Sequence, residues 1–218
     1  MNVWLLSGMG GLLAGVLHVL SGPDHLAAVL PFALRDRRSA LKVGITWGLG
    51  HGVGVVILAI IALVLQSTVQ LESFSNLAER MVGVLLVLVG LWTVKKSGVL
   101  QVHTHQHDHG SETHTHPQLA TGQHHHSVLG FGLLHGFAGG GHLLSVLPTL
   151  ALGRVAALAY LLMFLLGGLG AMAAFAFFAG RVVRREAWVP KAVALAGAAS
   201  IAVGVFWLAT VGSPVGPS

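Results

Sequence analysis

The chain has 218 residues, 54% of them hydrophobic and 9% charged, with a mean hydropathy of +0.79 and a formal net charge of +5. A soluble fold of this size cannot hide so much apolar surface, so the composition excludes a water-soluble domain and indicates an integral membrane protein. The absence of cysteine removes disulfides, thiolate metal sites and cysteine nucleophiles together, and the basic residues lie in short clusters between apolar runs, where they set topology rather than bind nucleic acid.

A membrane-spanning helix needs about 20 apolar residues, and six segments qualify: 3–33, 41–65, 81–100, 128–152, 155–180 and 190–211. Met1-Asn2 lacks the basic start of a secretory signal peptide, and the apolar run continues past any cleavage site, so the first segment reads as a retained span. It is too long for one perpendicular helix, and Gly22-Pro23 lies inside it. A proline there lacks a backbone donor and clashes with the preceding turn, which predicts two half-helices meeting near mid-membrane.

The first span also carries His18, Asp24 and His25, within HVLSGPDHLAAVLP from His18 to Pro31. The second carries His51 in WGLGHGVG, with glycines that let another backbone approach. Between the third and fourth spans, residues 101–127 hold nine of the fourteen histidines, in runs such as HTHQHDHG and HHH. That composition cannot bury a core, so a loop without fixed structure is expected, one that can collect metal ions or offer a contact to a metallochaperone.

The frame of His18 to Pro31 returns at His135 to Pro148 as HGFAGGGHLLSVLP, a constant offset of 117 residues with seven of fourteen positions identical. Arg37 then matches Arg154, Ala40-Leu41 matches Ala157-Leu158, and Leu49-Gly50 matches Leu166-Gly167; after a three-residue shift Val89-Gly90 matches Val203-Gly204. Two halves of three spans enter from opposite sides, because three is odd. The expected fold is therefore all-α, with six transmembrane helices in two inverted three-helix repeats. Residues 1–100 form the first repeat, 101–127 the His-rich loop and 128–218 the second repeat. Of the twelve Lys and Arg residues, ten fall on the side of the 1–2, 3–4 and 5–6 connections, and only Arg80 and Arg154 fall opposite. This predicts a multi-pass cytoplasmic-membrane protein with both termini outside and the His-rich loop in the cytoplasm.

Placing an ionisable group in a membrane costs at least ~2.5 kcal/mol on insertion scales, so His18, Asp24, His25, His51, His135 and His142 are candidates for a function. Imidazole nitrogen with carboxylate oxygen suits a borderline divalent ion such as nickel, cobalt or zinc. In an unbroken helix His18 and His25 would sit about 10 Å apart along the axis, too far to share one ion, so a shared site requires the break at Gly22-Pro23. The second copy replaces Gly-Pro-Asp by Gly139-Gly140-Gly141 and lacks the carboxylate, which predicts one asymmetric site dominated by the first half. Two plainer roles compete: Asp24 as the cap of a proline-started helix, and the histidines as packing residues. A membrane haem protein with transmembrane histidine ligands is the alternative from another class. An intramembrane metalloprotease is disfavoured because no HExxH occurs.

His18-x5-Asp24-His25 followed by Leu-Ala-Ala-Val, Leu49-Gly50-His51-Gly52 and Leu134-His135-Gly136 resemble the nickel/cobalt transporter superfamily, including the small permeases linked to urease and hydrogenase maturation. The five residues between His18 and Asp24, where family members have four, look more like the hydrogenase-linked branch, and the His-rich loop looks like the efflux members. The resemblance implies a secondary transporter rather than an enzyme, with nickel or cobalt as cargo, no permanently bound cofactor, membrane lipids as surroundings, and metal contacts from His18, Asp24, His25 and His51. No phosphate-binding Gly-rich Lys-Ser/Thr motif is present to support ATP hydrolysis.

Overall fold

A computed structural model of the chain describes residues 2–64, 71–97, 102–109, 112–119, 125–138, 147–183 and 185–210. Seven α-helices occur among them: α1 (Val3–Ser21), α2 (Pro23–Arg35), α3 (Ala40–Val64), α4 (Leu71–Ser97), α5 (His125–Ala138), α6 (Arg154–Val182) and α7 (Val189–Thr210). Four segments are long and apolar enough to cross a membrane, Val3–Ser21, Arg37–Leu58, Arg154–Val182 and Val189–Thr210, and Ser127–Phe137 is a shorter apolar helix. This is the architecture of a multi-pass membrane protein.

The described part of the expected third span, 81–100, forms the later part of α4 to Ser97, whose uncharged stretch from Met81 to Val94 is shorter than a full crossing. Of the expected fourth span, 128–152, the described residues are helical to Ala138 and form a 3₁₀ turn at Leu147–Ala151, and 139–146 lie outside the described residues. Within the expected loop, β1 (Val102–His109) and β2 (Glu112–Leu119) pair antiparallel, Val102 opposite Leu119 and His109 opposite Glu112. That hairpin is the one departure from helix-only structure among the described residues.

The first span breaks where the proline dictates. α1 ends at Ser21, Gly22 is extended (φ −87°, ψ 103°), and Pro23 starts α2 at a position where a missing N–H has no helical acceptor to lose. The two pieces are unequal, however: α1, with 19 residues, is about 28 Å long and by length a complete span rather than the expected half-helix, whereas α2, with 13, is about 20 Å.

Burial runs opposite to a soluble protein. On α1 the buried residues are Gly8, Gly11, Gly15 and Val19, one face of the helix, while large apolar side chains such as Met9 (67% exposed) point outward; Leu195 on α7 (71%) does the same. Small residues inside and leucines outside is the pattern of helices that meet backbone to backbone and face lipid. Three pairs are locked this way. Between α1 and α6, a Cβ at Gly15 would run into the carbonyl of Phe164, and one at Gly167 into that of Leu12. Between α3 and α5, Gly132 abuts the carbonyl of Trp47 and Gly50 that of Leu129. Between α4 and α7, Gly83 packs on Gly204 and Gly90 on Gly197.

These contacts map onto one another under the sequence offset. Gly132 lies 117 residues after Gly15, and Trp47 lies 117 before Phe164; Gly167 lies 117 after Gly50, and Leu12 lies 117 before Leu129. With the three-residue shift, Gly83 corresponds to Gly197 and Gly90 to Gly204, so the α4–α7 contact maps onto itself.

Arg35, Arg37 and Lys191 gather at one end. Arg37 donates through Nε to the Gly180 carbonyl (3.1 Å), the Arg35 guanidinium lies over Trp92 (4.7 Å), Lys191 lies over Trp188 (5.1 Å), and Leu34 packs with Val189 and Val193. The ends of α2, α4 and α6 and the start of α7 therefore share this end of the bundle.

Candidate metal centre

His18 sits in the last turn of α1, Asp24 and His25 in the first turn of α2, His51 midway along α3, and His135 in the last turn of α5. The break folds the first two helices so that the rings of His18 and His25 are 4.7 Å apart, where an unbroken helix would hold them about 10 Å apart along its axis. His25 is the hub, with its ring 5.0 Å from that of His51 and 4.9 Å from that of His135. His18 and His51 are 6.1 Å apart, His51 and His135 5.7 Å.

The ligand-type atoms form two sets of three that share His25. His18, His25 and His51 make one, and Asp24, His25 and His135 the other; within each set the atoms lie within 4.8 Å of one another. Tetrahedral nitrogens at about 2.1 Å from an ion are roughly 3.4 Å apart, so about an ångström of closure brings either set onto one ion.

Asp24 does not cap its helix. The N-cap of α2 is Gly22, which makes no side-chain cap bond, and its carbonyl takes the backbone N–H of His25 at 3.1 Å. Instead the carboxylate reaches sideways: Oδ1 lies 3.2 Å from Nδ1 of His25, and Oδ2 lies 3.4 Å from Nε2 of His135. The histidine whose copy of the motif has no carboxylate thus lies against the carboxylate of the other copy. His25, His51 and His135 are buried, and the Asp24 side chain keeps 13% exposure.

Five of the six sequence-predicted residues come together; His142 and the Gly139 to Gly141 run lie outside the described residues. Sequence reasoning missed the aromatic residues around them. Phe164 lies 5.5 Å from His18, and Trp47, fully buried, lies 6.0 Å from His135. Toward the arginine-bearing end, Phe32 meets Trp47 and Phe131, each at 5.7 Å, and Trp92 at 5.8 Å. The spacing holds a signal for one of these: Trp47 is one turn before His51 on the same face.

Gly22 is the second residue the geometry adds. A Cβ there would collide with Nδ1 of His25 and stand 2.8 Å from Oδ1 of Asp24. Gly22→Ala is therefore expected to displace the His25 ring from Asp24 and weaken divalent-ion binding about 10-fold or more, the scale of disturbing a ligand's supporting contact, in a protein that stays folded. Calorimetric titration with nickel, cobalt or zinc, beside a thermal melt, checks this.

The family described as cytochrome C biogenesis protein transmembrane region matches residues 11–206. The chain is 32% identical over 222 residues to the chloroplast protein FOR GROWTH AND FERTILITY 1 of Arabidopsis thaliana, covering 94% of this chain and 60% of that protein. It is 31% identical over 216 residues to FOR GROWTH AND FERTILITY 2 of the same plant, covering 93% and 58%. To the urease accessory protein UreH of Bacillus sp. (strain TB-90) it is 28% identical over 134 residues, 59% of this chain and 56% of that one. The chain thus spans about 60% of the length of the chloroplast relatives. No solved structure matches significantly.

Proposed function

The chain belongs to the family of cytochrome c biogenesis protein transmembrane regions, and on that membrane architecture we propose that it is a secondary carrier of a borderline divalent transition-metal ion, nickel or cobalt first. One observation carries the reading: four imidazoles and one carboxylate from four helices converge inside the bundle at a helix break. Nitrogen and oxygen donors without sulfur suit nickel, cobalt or zinc, and the motif resemblance and the identity to a urease accessory protein favour the first two. The chain has no cysteine, so thiol–disulfide exchange and thioether haem attachment are not chemistry its own residues can run.

The six-span inverted repeat is part of this reading. The contacts that map onto one another under the 117-residue offset support two halves related by a pseudo-two-fold axis in the membrane plane, with the ligands between them. The biased basic end supports termini outside and the His-rich loop in the cytoplasm. On that orientation the layer of Phe32, Trp47 and Phe131 stands between the ligands and the cytoplasm. An ion held by His18, His25 and His51 passes to Asp24, His25 and His135 without losing His25, and rocking of the halves alternates access. The haem alternative finds no support in the geometry: a porphyrin needs a flat slot between opposed imidazoles, and His25 stands within 5.0 Å of both His18 and His51.

Protons compete with metal for the same nitrogens. Ion affinity is expected to rise with pH, since deprotonation frees the imidazole donors, and binding is expected to release protons. In proteoliposomes, flux of nickel, cobalt, zinc and manganese is measured with and without an imposed pH gradient. Proton coupling predicts that the gradient drives flux; indifference to it removes the coupling, and no flux of any of the four ions removes the carrier.

A further inference from the structure

We propose that Ser200 of α7 is a positioning residue that ties down α2, and with it Asp24 and His25; the link to ion binding rests on the carrier reading above. Pro31 lies inside α2 and has no N–H, so the carbonyl of Ala27, four residues earlier, receives no helical hydrogen bond. Within a bundle in lipid no water replaces that donor. Ser200, fully buried, supplies it across the interface, its hydroxyl donating to the Ala27 oxygen at 2.6 Å. The acceptor in its own helix, the Ala196 carbonyl, is farther away at 3.0 Å and already takes the backbone N–H of Ser200 as a normal helical bond.

The placement gives the bond its consequence. Ala27 is within one turn of Asp24 and His25 on α2, and Ser200 lies on α7 between Gly197 and Gly204, which lock that helix to α4. Asp24 and His25 are thereby attached to the α4–α7 pair, whereas His18 rides on the α1–α6 pair and His51 and His135 on the α3–α5 pair. The ligand cluster is the junction of three glycine-locked units, and Ser200 fixes where the third delivers its share.

Three variants of the full chain in detergent test this: Ser200→Ala, Ser200→Thr, and Pro31→Ala with Ser200→Ala. The readouts are backbone hydrogen exchange across residues 24–35 and calorimetric binding of nickel, cobalt and zinc. Ser200→Ala is expected to speed α2 exchange and weaken ion affinity, each by about tenfold or more, the scale of one buried bond, while Ser200→Thr keeps both near wild type. In the double variant, the Pro31→Ala change returns an N–H to the Ala27 carbonyl, so α2 protection recovers while affinity stays weak, because the tie to α7 is still missing. Wild-type exchange and affinity in Ser200→Ala overturn the proposal. So does wild-type affinity in the double variant, which would reduce Ser200 to satisfying a carbonyl. If the wild-type chain binds none of the three ions, the carrier reading fails, and α2 exchange in Ser200→Ala decides the tether by itself.

Discussion

His25→Ala is expected to abolish saturable metal flux and to weaken ion binding by more than about 100-fold. His25 belongs to both ligand sets, so its removal leaves His18 with His51 on one side and Asp24 with His135 on the other. Even outer partners of metal ligands are worth about 10–100-fold in affinity, and His25 is the ligand whose ring approaches all three other imidazoles to 5.0 Å or less. The alanine also leaves a cavity, so His25→Gln, with similar bulk and no imidazole, separates lost ligation from lost packing. Both variants are read by proteoliposome flux, calorimetric binding and a thermal melt. Wild-type flux in a folded His25→Gln protein would remove His25, and with it the site, from transport.

Asp24→Asn should be milder. The amide keeps an oxygen donor and the shape of the side chain, but loses the negative charge that offsets a divalent ion and its facing imidazoles, so the second set weakens while the first stays intact.

What the sequence made legible follows from how local each cause is. The break at Gly22-Pro23 could be read because a proline's missing N–H acts on its own turn, and the break fixes the His18–His25 approach without knowledge of any other helix. His51 and His135 could be nominated as costly polar groups in apolar spans, but which helices pair could not be read. A helix apolar on every side carries no stripe to mark its inner face, and the inner face here is written in glycine. The 117-residue offset was legible, yet its meaning as reciprocal contacts, Gly15 on Phe164 and Gly132 on Trp47, needed coordinates. Capping was the plainer role left open for Asp24 in the sequence; the sideways reach to His25 and His135 is what separates the two roles. Ser200 left one clue, Pro31 inside α2, since a proline within a helix frees a carbonyl that some donor must reach.

Gly15→Ala, Gly50→Ala, Gly132→Ala and Gly167→Ala are expected to be among the most damaging single-methyl changes in the protein, and to be damaging in matched pairs. At each position the added carbon would overlap a backbone carbonyl of the partner helix, not the end of a flexible side chain, so no rotamer change relieves it and the helix axes must separate. Overpacking costs about 1–3 kcal/mol when side chains can adjust; backbone collisions belong at the upper end. A loss of about 3 kcal/mol corresponds to a melting-temperature drop of roughly 6–12 °C for a chain of this length. Gly10, Gly130 and Gly170 are the internal controls, since a Cβ at each meets nothing within 4 Å. Alanine there is expected to be neutral or to stabilise by up to about 1 kcal/mol through helix propensity. Thermal melts of the seven variants in detergent decide between two views of the glycines. If they are merely frequent in a membrane helix, all seven variants melt alike. If they are the surfaces on which the halves meet, Gly15 and Gly132 fall together, Gly50 and Gly167 fall together, and the controls do not move. Falling together while flux is lost would tie the matched interfaces to the motion that carries the ion, because the same glycines that lock each pair also set the distance across which His18, His51 and His135 face His25.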